Sequence, residues 1–193
     1  VLIPEPCFVC YKPCTLMAGG TPVTIQTEEK DEFRLTPEKL LEKITDKTKL
    51  LVLPFPNNPT GAIMEKEDLE AIAEVILEKD IFVLSDEIYS ELTYKGKHVS
   101  IASLPGMQER TILINGFSKA YAMTGWRLGY ACGPANIIEQ MTKILSKYGD
   151  ILEFVQLQIN YLDWDNEVIQ SRKCYEVATR YNKPVVVMEP IKG

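Results

Sequence analysis

Short apolar runs alternate along most of the chain with longer stretches in which apolar residues recur every three or four positions. The chain opens at Val1 in what reads as a strand. Thr36-Pro37-Glu38 predicts a helix start, because threonine is a good N-cap and proline is tolerated at the first helical position. That helix runs to about Thr45, with Leu40, Leu41 and Ile44 as its apolar stripe. Lys49 to Pro54 is short and nearly all apolar, the pattern of a strand buried on both faces of a parallel sheet. The loop from Phe55 to Gly61 is dense in turn formers. A second helix is predicted from about Lys66 to Lys79, with Leu69, Ile72, Ala73, Ile76 and Leu77 on one face. Ile81 to Leu84, Thr111 to Ile114 and Arg127 to Ala131 are further strands, and Pro134 opens a helix through about Lys147. The character changes near Ser146 to Leu152. Beyond it, Phe154 to Ile159 and Pro184 to Met188 read as strands and Glu167 to about Tyr181 as a helix.

Strands alternating with helices predict an α/β fold: a mostly parallel sheet with helices on both faces. In such sheets ligands sit beyond the carboxyl ends of the strands. Polar residues fall there in this chain: Asn58 after one strand, Asp86 after the next and Lys119 after the third.

Composition narrows the function classes. The chain has 193 residues, 46% hydrophobic and 25% charged, which suits a globular domain and argues against disorder. The formal net charge is −6 and there is no basic run, so nucleic acid and anionic membrane are poor partners. No apolar stretch approaches the roughly 20 residues that span a bilayer. The first residue is Val1 rather than Met, which suggests a missing N-terminus. Five cysteines, an odd number, fit reduced thiols in a cytoplasmic protein better than a disulfide framework. Cys7, Cys10 and Cys14 have a spacing that could bind metal, but no second cysteine pair follows and the single histidine, His98, is distant in sequence. No metal site is expected; the three are read as partly buried thiols on a strand and the turn or helix after it.

A Lys, an Asp, a Tyr, an Asn and an Arg at one sheet edge have a shared chemistry. The amine can form a Schiff base, a carboxylate can hold a pyridinium nitrogen protonated, and phenol and amide donors can stabilise a ring oxyanion. A guanidinium can clamp a phosphate. Plain readings stand beside each: Asp86 as a cap, Tyr89 as a core residue, Asn58 as a turn residue, Arg127 and Lys119 as surface cations.

The run Gly116-Phe-Ser-Lys119-Ala-Tyr-Ala-Met-Thr-Gly125-Trp-Arg127-Leu-Gly129 resembles the cofactor-lysine signature of the class I/II aminotransferases, and is most like their aspartate-aminotransferase-like branch. Upstream, Asn57-Asn58-Pro59-Thr60-Gly61 and Ser85-Asp86-Glu87-Ile88-Tyr89 resemble two more motifs of that family. Pro4, Pro6, Phe8 and Tyr11 resemble the strand and turn that start its cofactor domain. The resemblance implies a pyridoxal 5'-phosphate enzyme of the fold-type I class. Its reaction is amino transfer between an amino acid and a 2-oxo acid, and intact relatives are homodimers. Lys119 would carry the cofactor and move the proton in catalysis. Asp86 would pair with the pyridine nitrogen, and Asn58 and Tyr89 with the ring oxygen. Ser118 and Arg127 would bind the phosphate. Gly116 stands where some relatives have serine, so one phosphate contact would be lost.

The family also implies more chain: an N-terminal phosphate loop and a C-terminal small domain whose arginine grips the substrate carboxylate. The expectation is therefore a large-domain fragment over residues 1–147. Residues 148–193 resemble a β-α-β piece of an aldo/keto reductase barrel, carried by Leu152 to Trp164, Gln170 to Tyr175 and Lys183 to Pro190. Gln156 resembles a nicotinamide-contacting glutamine, but is read as a barrel-core residue. Two rival functions follow: an inactive chimeric remnant, and, more weakly, an NADP-dependent oxidoreductase fragment. The tail brings none of that family's catalytic residues.

Overall fold

The computed structural model describes residues 1–126 and 128–148, together with two strands at 155–158 and 185–188. In chain order the elements are β1 (Leu2–Glu5), α1 (Tyr11–Met17), β2 (Val23–Gln26), α2 (Pro37–Lys43), β3 (Leu50–Leu53) and α3 (Lys66–Lys79). They continue with β4 (Phe82–Asp86), β5 (Thr111–Gly116), β6 (Gly129–Cys132), α4 (Ala135–Tyr148), β7 (Val155–Gln158) and β8 (Val185–Met188).

The first six strands form one sheet in the order β2-β1-β3-β4-β5-β6. From β2 through β5 every pairing is parallel. Leu53 lies level with Ser85, and Ser85 with Leu113, so the carboxyl ends of β3, β4 and β5 share one edge. Parallel neighbours need long crossovers, and α3 supplies the one between β3 and β4.

Local chemistry explains the elements. Thr36 caps α2 by accepting the Lys39 N–H at 3.4 Å, with Pro37 at the first helical position. Asp68 caps α3 by accepting the Glu65 N–H at 2.9 Å. Leu69, Ile72, Ala73 and Ile76 of α3 are buried in one core with Leu51, Leu53 and Val83 of the central sheet and Ile81 just before β4. Leu77, expected on that face, is exposed instead, because it lies at the margin of the stripe. Gly133 marks a close approach: a Cβ there would stand 3.0 Å from the Thr111 carbonyl oxygen.

Among the described residues, the expected strands and helices stand within a few residues of their predicted bounds. Two elements had no clear apolar pattern. β2 has one buried residue, Ile25, and α1 buries only Thr15. Cys7 and Cys10 are half-buried, but Cys14 is exposed on the open side of α1. Among the described residues no group of histidines, cysteines or carboxylates is arranged to hold a metal ion.

By compactness the chain divides into two units. One comprises Val1–Gly116 with Tyr130–Ala135, the other Phe117–Gly129 with Asn136–Gly193. Within the second, β7 and β8 pair in parallel, Val155 opposite Val185 through Gln158 opposite Met188. The predicted helix from 167 to 181 lies outside the described residues.

Candidate active site

The polar residues of the first unit gather where β1, β3 and β4 end. Asp86 is the last residue of β4 and is half-buried. Its Oδ2 accepts the Tyr11 hydroxyl at 2.8 Å, and its Oδ1 accepts the Ile88 N–H at 3.2 Å. Tyr11 begins α1, just beyond the end of β1. Burial, reinforced by the neighbouring Asp86 carboxylate, pushes the Tyr11 phenol far above its usual value, so it stays a neutral donor.

Asn58 lies in the loop after β3, and its Nδ2 reaches the Tyr89 Oη at 3.5 Å. Its neighbour Asn57 is buried and holds the loop in shape: Nδ2 donates to the Pro54 carbonyl, while Oδ1 accepts the Thr60 N–H and hydroxyl. Asn58 is thereby left as the residue of the pair that faces Tyr89.

Ser118 and Lys119 follow β5 directly and belong to the second unit. Ser118 is half-buried and Lys119 exposed. The backbone around them is a series of turns: Phe117 N–H donates to the Leu128 carbonyl at 3.2 Å, and Ala122 N–H to the Lys119 carbonyl at 3.3 Å. The Phe117 and Tyr121 rings are 5.7 Å apart. Arg127 lies outside the described residues.

A family profile described as "Aminotransferase class I and II" matches residues 1–149, well over half of the chain. The chain belongs to the class I and II aminotransferases. Aminotransferases of this family depend on pyridoxal phosphate. An aspartate aminotransferase from Pyrococcus abyssi is 54% identical over 144 residues, covering 74% of this chain and 37% of that protein. Aromatic-amino-acid aminotransferase 2 from Thermococcus litoralis is 52% identical over the same length, with the same coverage. The crystal structure of an aromatic aminotransferase from Pyrococcus horikoshii matches with a TM-score of 0.75 at 52% identity, over 77% of this chain and 40% of that one. The chain thus spans well under half the length of these relatives. The family match ends at residue 149, so it leaves residues 150–193 uncovered and lends no support to a reductase there.

The residues present fit the family's cofactor by their donor set. A half-buried carboxylate stands at the strand edge, and an amide and a phenol stand together beside it in the fold. An open concavity of about 620 Å³ at the ends of β1 and β2 contains none of the expected site residues; Glu5, Cys7, Phe8, Lys12 and Gln26 line it.

Sequence reasoning missed the role of Tyr11 as the partner of Asp86, 75 positions away. Its only signal was its place in the Pro4-to-Tyr11 motif. It also missed Glu87, which is buried beside Asp86 and paired with Ser85, His98 and Ser100.

Proposed function

We propose that this chain carries the cofactor-binding part of a pyridoxal-phosphate-dependent aminotransferase. The whole protein would transfer an amino group between an amino acid and a 2-oxo acid. The observation that carries this reading is the pairing of Asp86 with Tyr11 and of Asn58 with Tyr89 at the carboxyl edge of the sheet.

Asp86 would hold the pyridine nitrogen in its protonated form. Tyr11, a neutral donor, orients that carboxylate without adding charge. Asn58 Nδ2 and Tyr89 Oη would donate to the ring oxygen. Ser118 and Arg127 would bind the phosphate. Lys119 Nζ would hold the cofactor covalently until the substrate amine displaces it, and the freed amine would then shuttle the substrate α-proton. When bound, the cofactor supplies the electron sink for the pair left as that proton departs. The relatives named above act on aspartate and on aromatic amino acids at nearly equal identity, which leaves the amino acid open. A homodimer and a cytoplasmic setting belong to the same reading. The latter is supported by four described cysteines, none in a disulfide.

The tail has a second reading. Residues 148–193 would form a β-α-β piece of aldo/keto reductase type, separate from the aminotransferase part at 1–147. The parallel pairing of β7 with β8, joined through residues 159–184, supports it. No activity is assigned to that piece.

The test is absorbance of the full chain titrated with pyridoxal phosphate, wild type against Asp86→Asn. A saturable visible band that weakens in the variant supports the reading. A band of equal strength and affinity in both rejects the role of Asp86, and no band in the wild type rejects cofactor binding.

A further inference from the structure

Next to Asp86, immediately after β4, lies a buried carboxylate that the proposed chemistry does not use. Glu87 is 4% exposed. Its Oε1 accepts the Ser85 hydroxyl at 3.0 Å and the Ser100 hydroxyl at 2.6 Å. Its Oε2 lies 2.8 Å from His98 Nε2, the chain's single histidine. Burial alone would push the carboxyl up. The bonds from His98, Ser100 and Ser85 outweigh it and hold Glu87 below its usual value, so the group is an anion and His98 Nε2 donates to it.

The bonds join the two ends of one loop. Glu87 begins the segment, and His98 and Ser100 end it. Tyr89 lies inside. The loop is tied twice more: Glu87 N–H donates to the Ile114 carbonyl of β5 at 2.9 Å, and Asn115 Nδ2 to the Ser90 hydroxyl at 3.2 Å. Between these ties the backbone has one turn of 3-10 helix, Ser90–Leu92, and no strand pairing. The Glu87 carboxylate is the side-chain link that joins residue 87 to residues 98 and 100 across this loop.

We propose that Glu87 is a positioning residue: its buried carboxylate, bound by Ser85, His98 and Ser100, closes the loop that carries Tyr89 and so sets the Tyr89 phenol against Asn58. The inference rests on the proposed function for its consequence in catalysis, because Tyr89 and Asn58 are the donors assigned to the cofactor's ring oxygen. The geometric part stands without it.

The experiment uses the full chain with and without pyridoxal phosphate, comparing wild type, E87Q, Y89F and the double variant. Glutamine keeps the shape of the side chain but removes the charge and one acceptor. In the cofactor-free protein, the Asn58 side-chain amide resonance is followed by NMR. E87Q is expected to move it towards its position in Y89F; an unchanged resonance overturns the proposal, whatever the cofactor does. In the loaded protein, the readout is the pH at which the absorbance band titrates. Donors on the ring oxygen withdraw electron density and lower that pH. Displacing Tyr89 therefore raises it, and weakens cofactor binding by about tenfold, the effect of one hydrogen bond to a charged group. E87Q is expected to raise the midpoint in the wild-type background and to leave it unchanged in Y89F. An equal shift in both backgrounds would mean a general structural effect and would overturn the positioning role. Should E87Q not fold, S100A removes one bond to the same carboxylate and carries the same comparison. If the wild type takes up no cofactor, the proposed function fails, and the Asn58 resonance alone decides the role of Glu87.

Discussion

The residues expected to hold the cofactor fall into two regions built by different means. At the ends of β1, β3 and β4, every one of them is held by the fold's own bonds. Tyr11 holds Asp86, Asn57 braces the loop that presents Asn58 to Tyr89, and Glu87 ties the loop around Tyr89. The segment after β5 is different. Tyr121 and Trp126 are 61% and 69% exposed, Lys119 is exposed, and the turn bonds run from 3.2 to 3.4 Å. Ala122 even adopts the left-handed region, at φ 52°, where a non-glycine residue is disfavoured. The first region is a by-product of burying a sheet. The second spends aromatic and strained residues on positions that local packing does not reward. On the proposed function, its sequence answers to what it would bind rather than to the core it makes.

The comparison predicts where substitutions destabilise the protein. The largest effect belongs to the core beneath the first region. Ile76→Ala in α3 removes a fully buried side chain and should destabilise the chain by about 2–5 kcal/mol in urea unfolding. Asp86→Ala comes next. It leaves the Tyr11 hydroxyl and the Ile88 N–H without their acceptor, and about 1–3 kcal/mol should be lost. If Asp86→Ala leaves stability unchanged, the claim that this region is held by the fold is wrong.

A third prediction concerns pH. The Glu87 carboxyl sits below its ordinary 4.5 in the folded chain, so the unfolded chain takes up this proton at higher pH than the folded one. The stabilisation is therefore complete above about 4.5 and is lost as pH falls through the lower folded value. Wild type should lose stability more steeply than E87Q across that acid window. Parallel slopes would show that Glu87 has no special attachment to the fold. The smallest effect is expected in the second region. Lys119→Ala removes an exposed side chain and should shift stability by less than about 0.5 kcal/mol, measured without cofactor.

The same contrast explains what the sequence made legible. β3, β4, β5 and α3 were readable because burial on a parallel sheet writes apolar runs and a helical stripe, as in Leu50 to Leu53 and Leu69 to Ile76. β2 was not, because an edge strand with one buried residue writes no period. α1 reads only as turn or helix for the same reason, with Cys10 as an N-cap that makes no side-chain bond. Of the site, Asn58, Asp86 and Lys119 are legible by position after strands and by motif. Tyr89 and Ser118 are legible by motif alone, and the fold brings Tyr89 to Asn58. Tyr11 and Glu87 escaped because their partners are contacts made in three dimensions. No spacing rule links Tyr11 to Asp86, and a buried Glu beside a motif Asp reads as part of the motif.

The central claim is that the exposed lysine after β5 is the attachment point for pyridoxal phosphate. The most direct test is borohydride reduction of the full chain with the cofactor, followed by peptide mapping. The account predicts one dominant adduct, on Lys119, lost in Lys119→Ala and weakened in Asp86→Asn. Label spread evenly over the surface lysines, and unchanged in both variants, would contradict it.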